Sequence, residues 1–280
     1  VEHNKFQLLS KDSFIPKDPD DRRVLGRVLK DFLKVNYPDH KRKLRILYFK
    51  YGMHRDYAES LRRSAITRIK SASENIPINW MTTNQAKIRD IIGVLTKCME
   101  TLTEAARYYN QASCGEHSEH CMYMALLVEL QIDHIDDRKI INVSKGEAED
   151  IMTLTSDFEE ALIIAKAFNI NTSDCWVKTI YRQVILSANI KYYEKMLSSG
   201  IIEDTKKLFV SLTMKYLSSR DSRPHVVQNM ESFLWFLEDD FLRYELAKSA
   251  GFNDMAEEIR RSVHGFDDIN KVINQIEGGI

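Results

Sequence analysis

Proline, glycine and cysteine are scarce in this 280-residue chain, with five, ten and four copies, and each scarcity excludes something. Four of the five prolines (Pro16, Pro19, Pro38 and Pro77) come before residue 80. Beyond them helix breakers are few, and a composition led by Leu, Ile, Met, Glu and Lys favours helix over sheet. The glycines are scattered, so no Gly-x-x-x-x-Gly-Lys-Ser/Thr phosphate loop, Gly-x-Gly-x-x-Gly fingerprint or Gly-x-Ser-x-Gly nucleophile elbow occurs. The nucleotide and hydrolase classes lose their strongest handles, and we expect neither an enzyme nor a cofactor. Cys98, Cys114, Cys121 and Cys175 form no Cys-x-x-Cys pair, which fits a reducing compartment where thiols pack as small hydrophobes, without disulfides. No apolar run approaches the roughly 20 residues that span a bilayer. The chain opens on Val1-Glu2-His3-Asn4-Lys5 rather than on a signal peptide. The expectation is a soluble protein, and the absent initiator Met suggests a fragment of a longer one.

What is present is enough to build a core: 44% of residues are apolar and 29% charged. The net charge of -1 hides an asymmetry, since residues 1–70 carry 18 Lys+Arg against 9 Asp+Glu. Within that basic quarter Lys41, Arg42, Lys43, Arg45, Arg62 and Arg63 are candidate contacts for an anionic membrane or an acidic partner. The alternative is a solvated face. Lys41 to Arg45 with Tyr48, Phe49 and Tyr51 also offers part of a nucleic-acid pattern, yet helical spacing turns Leu44, Leu47 and Tyr48 inward and the pI is near 6.8. Neither nucleic acid nor a small-molecule substrate is expected.

Apolar positions recur at helical spacing along most of the chain. Val24 to Leu33 mark a helix ending at Asn36-Tyr37-Pro38, Leu44 to Tyr48 one stopped by Gly52, and Tyr57 to Ile69 one running towards Ile76-Pro77. Thr82-x-x-Gln85 reads as a capping box for a long helix through Ile88, Leu95, Leu102 and Tyr109. Another helix spans Cys121 to Ile132. From Ser144 onward come shorter helices, with Ser156 and Ser173 as candidate caps and Gly200, Gly251 and Gly265 as stops. Helices of this length joined by short loops fold back on their neighbours. The expected fold is all-α, an α-solenoid of stacked antiparallel hairpins, with a compact helical bundle as the alternative. We divide it into a basic part at 1–80, continuing an upstream solenoid, and a helical-repeat region at 81–280. An internal echo, Ile164-Ala165-Lys166-Ala167-Phe168 against Leu246-Ala247-Lys248 and Phe252, closes two helices with Ala-Lys and an aromatic.

Cys114, His117 and Cys121, with His120 between and His134 downstream, are the one grouping that invites a metal. On a helix those three share a stripe, but a structural zinc site needs four ligands, and Cys98 and His134 lie on ordinary helical repeats. No metal site is expected. Acidic pairs such as Asp239-Asp240 diverge by about 100 degrees on a helix and read as first-turn partners of the helix dipole. Trp176, Tyr181, Tyr192 and Phe233 read as core, while Trp235 falls off the apolar stripe and is a candidate exposed anchor for a partner.

Ala105 to Tyr109 (AARYY), Ser113-Cys114, His120-Cys121, Leu130-Gln131-Ile132, Phe158 to Phe168 (FEEALIIAKAF), Trp176, Ile180 to Leu186 (IYRQVIL), Tyr192-Tyr193 and Leu242 to Lys248 (LRYELAK) form an ordered series. In that order and spacing the chain resembles the C-terminal region of the spatacsin family. Ser187-Ala188-Asn189 departs from it where the family has a Gly-Asp turn, as does the tail after Val263. The resemblance implies a large cytosolic scaffold, a β-propeller followed by a helical solenoid. Such a scaffold assembles with spastizin and the fifth adaptor-protein complex, peripherally on late endosomes and lysosomes. It further implies roles in cargo retrieval, in lysosome re-formation after autophagy and in axon maintenance. It supplies no catalytic or ligand residues.

Overall fold

The computed structural model describes residues 12–37, 41–76, 85–170, 172–202 and 204–263. It is all-α, with no strand among the described residues. By contact the chain divides into two compact units, 1–144 and 145–280. The division expected at residue 80 falls within 77–84, outside the described residues, as does Thr82 of the expected capping box. The tail beyond Val263 also lies outside.

In the first unit a short 3-10 turn, Asp12–Phe14, precedes α1 (Pro19–Asn36), α2 (Lys41–Lys50), α3 (His54–Ser73), α4 (Gln85–Gln111) and α5 (Gly115–Asp133). Each packs on its neighbour in sequence. Asp18 starts α1 by accepting hydrogen bonds from the Asp20 and Asp21 amides, with Pro19 at the first helical position, where its missing N–H costs nothing. Three residues link α4 to α5, so the two must run antiparallel. Ala105 and Ala106, both buried, let them approach closely, and the Ser118 hydroxyl donates to the Ala106 carbonyl at 2.8 Å. The core joins Leu33, Leu47, Tyr48, Tyr51, Met53, Tyr57, Ala58, Tyr108, Tyr109 and Cys121. At about 1.5–3 kcal/mol for each large side chain withdrawn from water, this cluster contributes strongly to the unit's stability. Buried Gln131 fastens the segment after α5: its amide donates to the Arg138 carbonyl, and its carbonyl accepts from the Ile140 and Ile141 amides at 2.6 and 3.2 Å.

The second unit holds α6 (Lys145–Leu154), α7 (Phe158–Ala167), α8 (Ser173–Ile180), α9 (Ile190–Ser198), α10 (Thr205–Ser219), α11 (Pro224–Leu234), α12 (Asp240–Ala250) and α13 (Asn253–Ser262). Helix α8 runs directly into a π-helical segment, Tyr181–Leu186, around which α6, α9, α10 and α11 gather. Tyr181, Gln183, Val184 and Ile185 of that segment are buried, while Arg182 is exposed. Gln183 donates to the Thr153 carbonyl of α6, Tyr181 shares a hydrogen bond with Ser219 of α10, and Asn229 of α11 donates to the Ile185 carbonyl. An aromatic cluster of Tyr193, Phe209, Phe233 and Phe236 fills the space beside it.

Two expected caps move. Asp157, not Ser156, starts α7, because its carboxylate reaches the Glu159 amide at 2.6 Å. Thr172, not Ser173, is the N-cap of α8, and its side chain makes no capping bond. Asp239 caps α12 through the Leu242 amide, with Asp240 in the first turn, as their adjacency implied. The internal echo also acquires a cause, with a shift of alignment. Ile170 N–H donates to the Ala165 carbonyl at 2.7 Å and Phe252 N–H to the Ala247 carbonyl at 2.9 Å, across the left-handed residues Asn169 and Gly251. The repeated feature is a helix stop of Schellman type, and the residue matching Phe252 is Ile170 rather than Phe168.

Candidate functional site

The basic residues singled out in the sequence lie on α2 and α3, where several already have partners. Glu59 of α3 is held by Arg62 at 2.9 Å and Arg63 at 2.5 Å, and accepts the Tyr109 hydroxyl of α4. The hydrogen bond from Arg62 is the main reason the Glu59 carboxyl titrates at about 2 instead of 4.5, with Tyr109 and Arg63 adding to it against the opposing effect of burial. Arg45 lies over the Phe49 and Tyr57 rings, with Glu104 3.8 Å away. Lys43 stands over the Tyr37 ring. Arg42 is exposed, and Lys41 is the first residue of α2.

A different set of cations converges on the corners that join α2 to α3 and α4 to α5. Arg23 and Arg27 of α1 and His54, Arg55 and Asp56 of α3, with the turns 52–53 and 111–114, line a cleft of about 460 Å3. Helix α1 reaches this position because residue 26 is glycine: a Cβ there would stand 2.8 Å from Met53 Sδ and 3.0 Å from Tyr51 Cβ. None of the three arginines was singled out from the sequence. The one available signal was Gly26 between Arg23 and Arg27, one turn apart on a helix.

Cys114, His117 and Cys121 do not converge. Cys114 is the residue before α5 and donates its thiol to the Ala112 carbonyl, His117 lies against the Tyr109 ring, and Cys121 is fully buried. Among the described residues no group of three His, Cys, Asp or Glu could hold a metal ion. Cys98, Cys121 and Cys175 pack as small hydrophobes, and burial pushes the Cys121 thiol up to about 11. Trp235 and Phe236 sit in the turn after α11, 43% and 40% exposed, with the Arg243 guanidinium 5.1 Å from the Trp235 ring centre. No helix among the described residues is long and apolar enough to cross a membrane.

The described residues form an all-helical fold that carries an arginine-lined cleft and an exposed tryptophan on its surface. The family model for the spatacsin C-terminus matches residues 1–218, and the chain belongs to that family. It is 24% identical to a Dictyostelium discoideum protein over 89% of this chain and 7% of that protein. It is likewise 24% identical to mouse spatacsin, over 82% of this chain and 9% of spatacsin. The chain therefore spans less than a tenth of the length of either relative. No solved structure matches it.

Proposed function

We propose that this chain is a non-catalytic interaction module of a spatacsin-type scaffold, acting with a spastizin-like partner and the fifth adaptor-protein complex. In this reading it works peripherally on late endosomes and lysosomes, in cargo retrieval and in lysosome re-formation after autophagy, and axon maintenance depends on it. Family membership over residues 1–218 carries the proposal. The residues that bear the resemblance, among them Ala161, Ala165, Tyr181 and Leu246, are buried, so relatives share a scaffold on which exposed residues such as Trp235 are free to specify partners.

The test is recovery of the full-length parent protein through an affinity tag, with probing for a spastizin-like protein and adaptor subunits. Co-purification together with lysosomal location is the expected result. A parent protein that does neither overturns the reading. Within the module, Trp235→Ala is expected to lower partner recovery while leaving the melting temperature nearly unchanged.

A further inference from the structure

The two corners of the first unit are built alike. The Met53 amide donates to the Tyr48 carbonyl at 2.8 Å, and the Cys114 amide to the Tyr109 carbonyl at 2.9 Å. Each of these bonds crosses a left-handed residue, Gly52 with φ 64 in one corner and Ser113 with φ 55 in the other. The next helix starts at once in both cases, with Met53 and Cys114 as N-caps that offer no side-chain capping bond. The first turn of α3, His54 to Asp56, lines the cleft, and its free amides carry partial positive charge, while the other corner contributes the turn Gln111 to Cys114.

The side chains around the cleft repeat that polarity. Arg23, Arg27 and Arg55 line it against a single carboxylate, Asp56, and Asp56 is already bonded to Lys30 at 2.7 Å. Among the described residues, the only ion pair of Arg23 is an exposed one with Asp20 at 3.6 Å. Arg27 and Arg55 have no carboxylate partner among the described residues. Like charges gathered in a concavity repel one another, and the arrangement is relieved when an anion sits among them. Guanidinium groups are planar forks matched to phosphate oxygens, and a volume of about 460 Å3 lies within the usual range of small-molecule sites. Three forks with the first-turn amides of α3 offer more donors than one phosphate can accept.

We propose that the cleft lined by Arg23, Arg27, Arg55 and the turns 52–53 and 111–114 binds a compact, multiply phosphorylated anion. Its chemistry is that of an inositol polyphosphate, whether free in solution or carried as a phosphoinositide headgroup. The site is separate from the Lys41 to Arg45 and Arg62-Arg63 groups, and it does not depend on the partners proposed above.

The test is calorimetric titration of the whole 280-residue chain with inositol hexakisphosphate. The double variant Arg27→Glu/Arg55→Glu is expected to bind at least about tenfold more weakly, because hydrogen bonds from charged groups are lost. Lys178→Glu/Arg182→Glu, the same charge change at exposed positions of the second unit, is expected to stay within about twofold of the parent chain. Cys114, in the cleft wall, gives a second readout: the probe should slow its modification by a thiol reagent in the parent chain and not in the Arg27/Arg55 variant. Flotation with phosphatidylcholine vesicles, with and without a bisphosphorylated phosphoinositide, separates the two sources. Flotation that needs the phosphoinositide and is lost in the Arg27/Arg55 variant assigns the lipid headgroup, while soluble binding without flotation assigns a free ligand. Absence of inositol hexakisphosphate binding, or equal weakening by both double variants, overturns the proposal.

Discussion

Glu59 shows how one side chain can tie two helices together. It takes hydrogen bonds from Arg62 and Arg63 on its own helix and from Tyr109 on α4. Its folded pKa of about 2 lies below the ordinary 4.5. The stability it contributes is therefore complete above about pH 4.5 and is lost as pH falls through about 2. Glu59→Gln is expected to cost about 1–2 kcal/mol near neutrality, from weakened charge-assisted bonds. Urea unfolding at a series of pH values should show parent and variant converging on acidification, and a gap that stays constant to low pH would contradict the assignment. Tyr192 poses the opposite case. Its hydroxyl is buried with no hydrogen-bond partner among the described residues, and burial raises its pKa. Tyr192→Phe removes an unsatisfied donor while keeping the ring edge-on to Phe158. The expected change in unfolding free energy is between zero and about 1 kcal/mol of added stability, and a clear loss would reveal a partner for the hydroxyl.

Among the helices, the periodic ones were legible in the sequence, and what escaped depends on local geometry. The stops at Asn36, Gly52, Gly200 and Gly251 follow from proline or glycine chemistry and fall where expected. The π segment did not announce itself, because its apolar spacing reads as an ordinary continuation of α8 and only the backbone hydrogen-bond register sets it apart. The cleft escaped for a different reason, since Arg23 and Arg55 are distant in sequence and are brought together by the close approach at Gly26 to Tyr51 and Met53 and by the Lys30-Asp56 ion pair. Ser187-Ala188-Asn189 supplies both a turn and a cap: Ala188 is left-handed, with φ 57, and Asn189 caps α9 by accepting from the Tyr192 amide. Ala188→Gly should relieve the Cβ strain and add about 1 kcal/mol of stability. A thermal melt checks this, and a lower melting temperature would refute it.

Across the whole chain, each of the two units has what an independent folding unit requires. The first has a continuous core running from Leu33 through Tyr57 to Cys121. The second has the π segment and the Tyr193, Phe209 and Phe233 rings, with α7, α9, α10 and α12 started by their own Asp157, Asn189, Asp204 and Asp239 caps. Ile140 and Ile141 are held by Gln131, and Asn142 by Ser73, whereas Lys145 bonds forward to the Asn169 carbonyl. Residues 1–144 and 145–280, expressed separately, should therefore each give a helical circular dichroism spectrum and a cooperative thermal transition. Disruption of one core should leave the other intact: Phe233→Ala, expected to cost about 3–5 kcal/mol as a buried aromatic truncation, should lower the transition of the 145–280 piece without changing that of 1–144. A separately expressed piece that remains unfolded would show that its core depends on the other unit.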